Sequence, residues 1–329
     1  MKDFCIVGSG IAGSTIANLL SKKYSVEIFD KARGPGGRAS NRRYKKDLSF
    51  DHGLQYISAG SKEFTKFILS LEKKRIIKKW EGNHLDFTFE KKNKLPKYIG
   101  AKGNNAISKY LINNIKANFK SLVTNIKFNN NYWEITINNK EKINFKNLIL
   151  TCPYPQLINL SSKYLPKQFV KSKIKMIPNI TVMLSYKNYS KININSIKFR
   201  NNFLAWAANE NSKERFKSRE TLWTIQCTIK YSKKIINCFK ENKQSYIKKI
   251  ANEFENLIGY KYKDLIFKNI HGWKYAYVTK NKKLNNLWTK KFNLGICGDW
   301  ISGSKAEDAW LNSNLLFQKI KKNPPKRRV

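Results

Sequence analysis

The stretch from Phe4 to Arg38 constrains this chain more than any other. Phe4-Cys5-Ile6-Val7 is an apolar run of buried-strand length. Gly8-x-Gly10-x-x-Gly13 follows at once, Ala12 to Leu20 reads as a helix, and a second strand, Ser25 to Phe29, ends on Asp30. Each glycine has its own task in such a unit. Gly8 permits the tight turn off the strand, Gly10 lets backbone approach a pyrophosphate, and Gly13 lets helix pack close to sheet. The diphosphate is expected on the free N–H groups of the helix N-terminus. Asp30 stands where a ribose needs a hydrogen-bond acceptor. A glycine triplet alone also marks ordinary turns. Strand, triplet, helix, strand and acid in register point to an adenine dinucleotide, FAD or NAD.

The next residues help to choose between them. After Lys31, the run Arg33-Gly34-Pro35-Gly36-Gly37-Arg38 sets arginines on either side of a glycine-rich loop. It resembles the R-x-G-GR segment of FAD-dependent amine-oxidase-type flavoproteins, where the loop lies against the FAD pyrophosphate. The resemblance implies noncovalent FAD, with Lys31, Arg33, Gly37 and Arg38 in its binding set.

The chain's 329 residues suffice for one large or two interlocked domains. Its formal charge of +43 arises from 65 Lys and Arg against 22 Asp and Glu, spread along the whole length. A dedicated nucleic-acid protein more often concentrates its charge on one element or a tail. The dispersed lysines, beside many Asn and Ile, read as compositional bias, and no specific nucleic acid is expected. The five cysteines form no CxxC pair and no metal-ligand spacing, so no metal is expected. Their scatter suits a reducing compartment. No stretch approaches the length of a membrane span, so a cytoplasmic protein without a membrane partner is expected.

Further along, Glu63 to Lys73, an Asn-capped Ala106 to Ile115, Ser245 to Ile258 and about Lys305 to Lys321 read as helices. Leu122 to Phe128, Tyr132 to Ile137 and Ile143 to Leu150 read as antiparallel strands, the last returning to the main sheet. A final strand, Asn293 to Cys297, runs into Gly298-Asp299-Trp300. The expected fold is α/β, a discontinuous Rossmann-like FAD-binding domain with a strand-rich α+β substrate domain. The first takes 1–60, 96–160 and 270–323; the second takes 61–95 and 161–269, and 324–329 is a basic tail. A small-molecule site belongs at their junction.

Four separated segments together resemble the renalase-like FAD-dependent oxidoreductases. They are Gly8 through Arg38, Phe50-Asp51-His52-Gly53-Leu54-Gln55-Tyr56, His271-Gly272-Trp273-Lys274-Tyr275-Ala276, and Gly298-Asp299-Trp300 through Glu307, Ala309 and Trp310. Asn211-Ser212-Lys213 is a weaker echo. Gly272 and Lys274 depart from the family's arginines, and Asn104 from an apolar residue. The resemblance implies that Gly298, Asp299, Ala309 and Trp310 belong to the FAD site, with Asp299 accepting from flavin-side hydroxyls. It implies hydride transfer to FAD from a small-molecule donor, isomeric dihydronicotinamide dinucleotides in renalases, with molecular oxygen as reoxidant.

Such a reaction needs a flat slot that stacks the donor against the flavin, and little acid–base machinery. His271 and Trp273 alternate in a strand and so share one face. They are expected to line the slot or to fill the core, with Gln55 and Tyr56 flanking the ring. Lys213 and Lys274 are expected at the mouth, holding phosphates, and His84 is read as structural. The rival within flavoenzymes is an amine oxidase or dehydrogenase. Rivals of another class are a basic nucleic-acid-binding protein and a non-catalytic flavin-binding protein.

Overall fold

The computed structural model describes residues 1–86, 95–172, 174–187, 193–259, 264–278, 284–285 and 287–325. The end of the basic tail, 326–329, lies outside them. β1 (Lys2–Val7) turns at Gly8 into α1 (Ile11–Leu20), and β2 (Val26–Phe29) returns parallel to β1 with Glu27 opposite Cys5. α2 (Lys62–Lys73) starts at Ser61, whose Oγ accepts from the Phe64 N–H. β3 (Lys116–Asn118) adds beyond β2, and β4 (Glu141–Leu150) lies on the far side of β1. β4 serves two neighbours. Its early part pairs antiparallel with Tyr132–Ile137, and its later part runs parallel to β1, with Leu148 opposite Cys5. The hairpin before it turns at Asn130 and Asn131, with φ of 40° and 70°. Asparagine tolerates this left-handed backbone better than most side chains.

A second sheet follows, built from β5 (Met176–Tyr186), β6 (Leu204–Asn209), β7 (Thr221–Cys227) and, after α3 (Lys243–Ile258), β8 (Leu265–Val278). Its order is β8-β5-β7-β6, continued by Ser196–Lys198 and His84–Leu85. One face carries Ile180, Val182, Leu184, Trp223 and Ile225. They bury against Ile247, Ile250, Ala251 and Phe254, the apolar stripe of α3. The opposite face carries Thr181, Gln226, Trp206 and His271.

The chain then returns to the first sheet. β9 (Leu287–Thr289) pairs antiparallel with β10 (Leu294–Ile296), and β10 lies parallel to β4 with Leu294 opposite Leu148. α4 (Ala306–Lys322) closes the fold against α1. The finished order is β9-β10-β4-β1-β2-β3. This is the mixed α/β architecture with a Rossmann-like parallel sheet and a second, strand-rich layer.

Two details of the domain reading change. α2 lies in the stretch 61–95, yet Phe64, Ile68 and Leu71 share a core with Ile6 and Ile16. An apolar helix stripe does not say which core it enters. The division at 270 also falls inside β8, one unbroken strand of the second sheet, so His271 and Trp273 belong there. The helix at 106 is shorter than expected, Ala106–Leu111, and Asn105 makes no capping hydrogen bond from its side chain.

Candidate functional site

The three glycines after β1 are glycine for different reasons. Gly8 has φ +103°, and a Cβ on Gly13 would stand 1.9 Å from the Gly8 carbonyl oxygen. Both serve the protein's own geometry. Gly10 does not: its φ is −67°, and a Cβ there would meet nothing nearer than the Gly36 oxygen at 3.8 Å. Its missing side chain keeps space clear beside the start of α1. That helix has no acid in its first turn and no side-chain N-cap, so its dipole is uncompensated. The second glycine loop closes on the first. The Gly36 N–H donates to the Ser9 carbonyl at 3.0 Å, and Gly37, with φ +53°, sits against the Gly10 Cα. Two backbones meet without side chains, a cradle that fits a pyrophosphate.

Asp30 holds this cradle in shape. Its Oδ2 accepts from the Ser9 N–H at 2.7 Å and the Ser9 hydroxyl at 2.6 Å, and Oδ1 accepts from the Ala32 N–H at 2.8 Å. A carboxylate retains further lone pairs for ribose hydroxyls. Lys31 and Arg33 are exposed beside it.

Arg38 and Asp299 join the two ends of the chain. Nη2 meets Oδ1 at 2.5 Å and Nη1 meets Oδ2 at 2.8 Å; Nη1 also donates to the Ala276 carbonyl in β8. Asp299, expected to accept from flavin-side hydroxyls, and Arg38, expected in the FAD-binding set, thus hold each other. Gly298 is forced by packing, since a Cβ would lie 2.5 Å from the Trp300 indole nitrogen. Ala309 is buried, and Trp310 stacks on Phe67 of α2 at 5.1 Å, a packing role within the helical layer. Glu307 accepts from the Gly60 and Ser61 N–H groups. Burial raises its pKa, but these hydrogen bonds outweigh it and hold the carboxyl below its ordinary range.

The segment Asp51 to Tyr56 is pinned between the arginine loop and the second sheet. From the loop side, the Leu54 N–H donates to the Arg38 carbonyl at 2.8 Å. A Cβ on Gly53 would stand 2.0 Å from that same oxygen, so only glycine fits. From the sheet side, the Trp273 indole N–H donates to the His52 carbonyl and the Gln226 amide to the Gly53 carbonyl, both at 2.8 Å. The Asp51 N–H donates to Glu210 at 3.2 Å.

His52, His271 and Trp273 meet in one aromatic group. Ring centroids lie 4.9 Å apart for the histidine pair, 4.3 Å for His271 and Trp273, and 5.0 Å for His52 and Trp273. Burial pushes His52 down to about 3, and the neighbouring His271 and Arg42 add to it. Burial, then Arg42, lowers His271 to about 4. Both rings are neutral at pH 7. The His52 Nδ1 is buried without a hydrogen-bond partner. The departure at Gly272 has a steric cause on the opposite face, where a Cβ would stand 2.6 Å from Phe239.

Four charges that sequence reasoning did not assemble lie beneath this segment. Lys213 Nζ contacts Asp51 Oδ2 at 2.9 Å and Glu210 Oε2 at 3.0 Å, and Arg215 pairs with Asp51. Lys213, expected at the mouth, has no exposed side-chain surface. A charged residue after a strand gives no sign of burial; only its partners do. Burial works to raise the Asp51 pKa, but Arg215 and Lys213 outweigh it and drive the carboxyl well below its usual range. Burial, with the charge of Asp51, raises Glu210. Gln55 is committed here too. Its amide nitrogen donates to the Asp51 and Gly53 carbonyls, and its oxygen faces Lys213 at 3.4 Å. Tyr56 joins a different aromatic group, with Trp80 and Trp206. Lys274 is exposed on β8, and His84 is buried with both ring nitrogens partnered.

Comparison with known proteins bears on the fold. Residues 6–69 match the family model described as an NAD(P)-binding Rossmann-like domain. Renalase of Mus musculus is 26% identical over 178 residues, 49% of this chain and 49% of the relative. The matched region thus spans about half the length of that relative. Among solved structures, a protein assigned as a protoporphyrinogen oxidase from Exiguobacterium sp. 255-15 superimposes with a TM-score of 0.74 at 9% identity. The alignment covers 98% of this chain and 99% of that one. Wild-type putrescine oxidase bound to putrescine gives 0.71 at 11% identity, with the same coverage. The fold is the one these two oxidases share, and it is built on a Rossmann-like unit. Renalase resembles this chain in sequence over about half of each.

Proposed function

We propose that this chain is an FAD-dependent oxidoreductase of renalase type. Its donor is a small molecule carrying a transferable hydride, with isomeric dihydronicotinamide dinucleotides the favoured class and molecular oxygen the reoxidant. The observation that carries the reading is the pairing of a side-chain-free cradle with a committed set of carboxylates. Gly10 and Gly37 leave room for a pyrophosphate that protein packing does not use. Asp299 is held by Arg38, and Asp51 by Lys213 and Arg215. None of these carboxylates is left free to pull a proton from an amine.

FAD, when bound, supplies a two-electron acceptor that takes a hydride. The chain's own residues bind and orient. The N–H groups at the start of α1 receive the pyrophosphate, and Asp30 offers its remaining lone pairs to the ribose. Arg38 fixes Asp299 and, through its carbonyl, the segment that ends in Tyr56. Trp273 holds the His52 carbonyl, so a flat ring meets a wall of neutral aromatic groups. A hydride donor that already carries its electrons requires no more.

The test is anaerobic. The purified protein is expected to be yellow and to release FAD on denaturation. Burial pushes the Cys297 thiol up to about 12, which disfavours a covalent flavin link. Dihydronicotinamide dinucleotides should bleach the flavin band, and readmitted oxygen should restore it with formation of hydrogen peroxide. Bleaching by amines such as putrescine, with none by dihydronicotinamides, would replace this reading with an amine oxidase.

A further inference from the structure

The chain from Arg38 to Leu54 folds back on itself in one register. The Leu54 N–H donates to the Arg38 carbonyl, and the Asn41 amide to Asp51 Oδ1. Arg42 stands opposite Phe50, and the Tyr44 N–H donates to the Leu48 carbonyl. Directly opposed residues share a face, as do alternate residues of one strand. Arg42, Tyr44 and Phe50 therefore project together, and the two rings show in which direction. Tyr44 and Phe50 lie 4.0 and 5.6 Å from the Phe267 centroid in β8, while His52 lies 4.9 Å from His271. Arg42 thus faces β8 as well. It is a diagonal neighbour of His52, a separation of about 7–8 Å that a long side chain spans. On this face of β8, Asn269 stands between Phe267 and His271, opposite Met183, which packs with Phe50.

Both polar groups are half-buried. Among the described residues, neither the Arg42 guanidinium nor the Asn269 amide has a hydrogen bond or ion pair within the protein. The carboxylates nearby are committed elsewhere. Asp51 belongs to Lys213 and Arg215, and Glu220, beside Tyr44, belongs to Lys45 and the Ser185 hydroxyl. Burial does most to lower His52 and His271, and Arg42 adds to it at both, so the rings bring no second charge. A half-buried guanidinium with no counter-ion is unfavourable until an anion arrives. Its planar fork matches phosphate oxygens in pairs, and an amide supplies further donors.

We propose that Arg42 and Asn269 form a phosphate clamp for the donor, holding the phosphate nearest the ring that meets His271 and Trp273. The proposal rests on the hydride-donor reading above and names the groups that recognise that donor. Asn269 and His271 are alternate residues on one strand face, roughly 7 Å apart along the strand. That spacing suits a flat ring and its 5′-phosphate with one ribose between them. A nucleotide can therefore lie along β8 with its ring on the aromatic wall and its charge on Arg42. A cationic amine would meet the unneutralised guanidinium and be repelled.

Nicotinamide mononucleotide and nicotinamide riboside differ by the phosphate alone. Each is titrated into the FAD-loaded protein and followed by the shift of the flavin absorbance. The mononucleotide is expected to bind about tenfold more tightly, through charge-assisted contacts to its phosphate. Arg42→Met should erase that preference by weakening the mononucleotide and sparing the riboside, with bound flavin unchanged. Arg42→Lys should restore part of it. Asn269→Asp tests the clamp from the other strand: its carboxylate should occupy the guanidinium and erase the preference too. Equal binding of the two ligands by the parent, or a preference that survives Arg42→Met or Asn269→Asp, overturns the proposal. Loss of flavin from a folded Arg42→Met protein would assign the arginine to the cofactor and overturn it as well. Flavin bleaching by dihydronicotinamide mononucleotides is measured in parallel. Bleaching without a phosphate preference sinks the clamp alone. A preference that depends on Arg42, without bleaching, leaves the clamp and sinks the hydride-donor reading.

Discussion

Arg38 and Asp299, 261 residues apart, meet in a two-point ion pair that ties the glycine-rich loop to the turn after β10. Arg38 also donates to the Ala276 carbonyl of β8. One guanidinium thus touches the start, the second sheet and the end of the fold.

Arg38→Lys should therefore weaken both folding and cofactor retention. Lysine cannot make the forked contact. Breaking a fully buried pair costs about 3–5 kcal/mol, but 31% of the Arg38 side chain is exposed. Solvent screening brings the expected loss to about 2 kcal/mol. Denaturant midpoints and flavin content of the purified variant measure the two effects, and a wild-type value for both would show that the pair is ornamental.

Gly10→Ala and Gly13→Ala should separate binding from folding. At Gly10 the added methyl meets only ordinary contacts, and the backbone is one that alanine adopts. Stability should change by under about 1 kcal/mol, the scale of an N-cap exchange, while FAD is lost. At Gly13 the methyl collides with the Gly8 carbonyl, so the melt itself should collapse. Thermal melts with and without added FAD distinguish the two outcomes.

The neutral histidines predict an acid-sensitive fold. His52 and His271 are lowered to about 3 and about 4, so the unfolded chain binds more protons below its ordinary histidine pKa. Their contribution is fully present above roughly pH 6.5 and fades as pH falls towards 4. Each ring is worth on the order of 2–3 kcal/mol across that window. His271→Gln should lose less stability than the parent between pH 7 and pH 4.5, and an identical slope would mean that the ring titrates normally.

Trp273→Phe keeps an aromatic ring beside His52 and His271 but removes the donor to the His52 carbonyl. A single hydrogen bond of this kind is worth about 1 kcal/mol, so the variant should fold and retain FAD. On the proposed function, flavin reduction by the donor should slow, because the wall and the 51–56 segment lose registry. Stopped-flow bleaching gives the rate. A normal rate in a clearly destabilised protein would assign Trp273 to the core alone.

Much of the nucleotide unit was legible because its rules are local. Gly8, Gly10, Gly13 and Asp30 are spaced by the geometry of one turn and one strand end, and α1 and β2 came out within a residue of expectation. The return of β4 to the main sheet was readable from its apolar run into Thr151. The second sheet's contribution was not. Lys213 looks like any other lysine in a strongly basic chain, and its burial depends on Asp51 and Arg215, which no periodicity connects to it. Asp299 and Arg38 were each singled out from the sequence, in separate segments. That they satisfy one another is a property of the assembled fold.

The position of β10 has a consequence for how this protein comes into being. β4 lies between β1 and β10, so the central layer gains its outer parallel neighbour only from residues 294–296. During synthesis the glycine turn and β4 emerge before β10, so this edge of β4 stays open until residues 294–296 have been made. Pairings of such long sequence separation are slow and exposed to misassembly. Premature termination anywhere before β10 should thus yield an unfinished sheet and a target for chaperones and proteases, rather than a smaller folded protein.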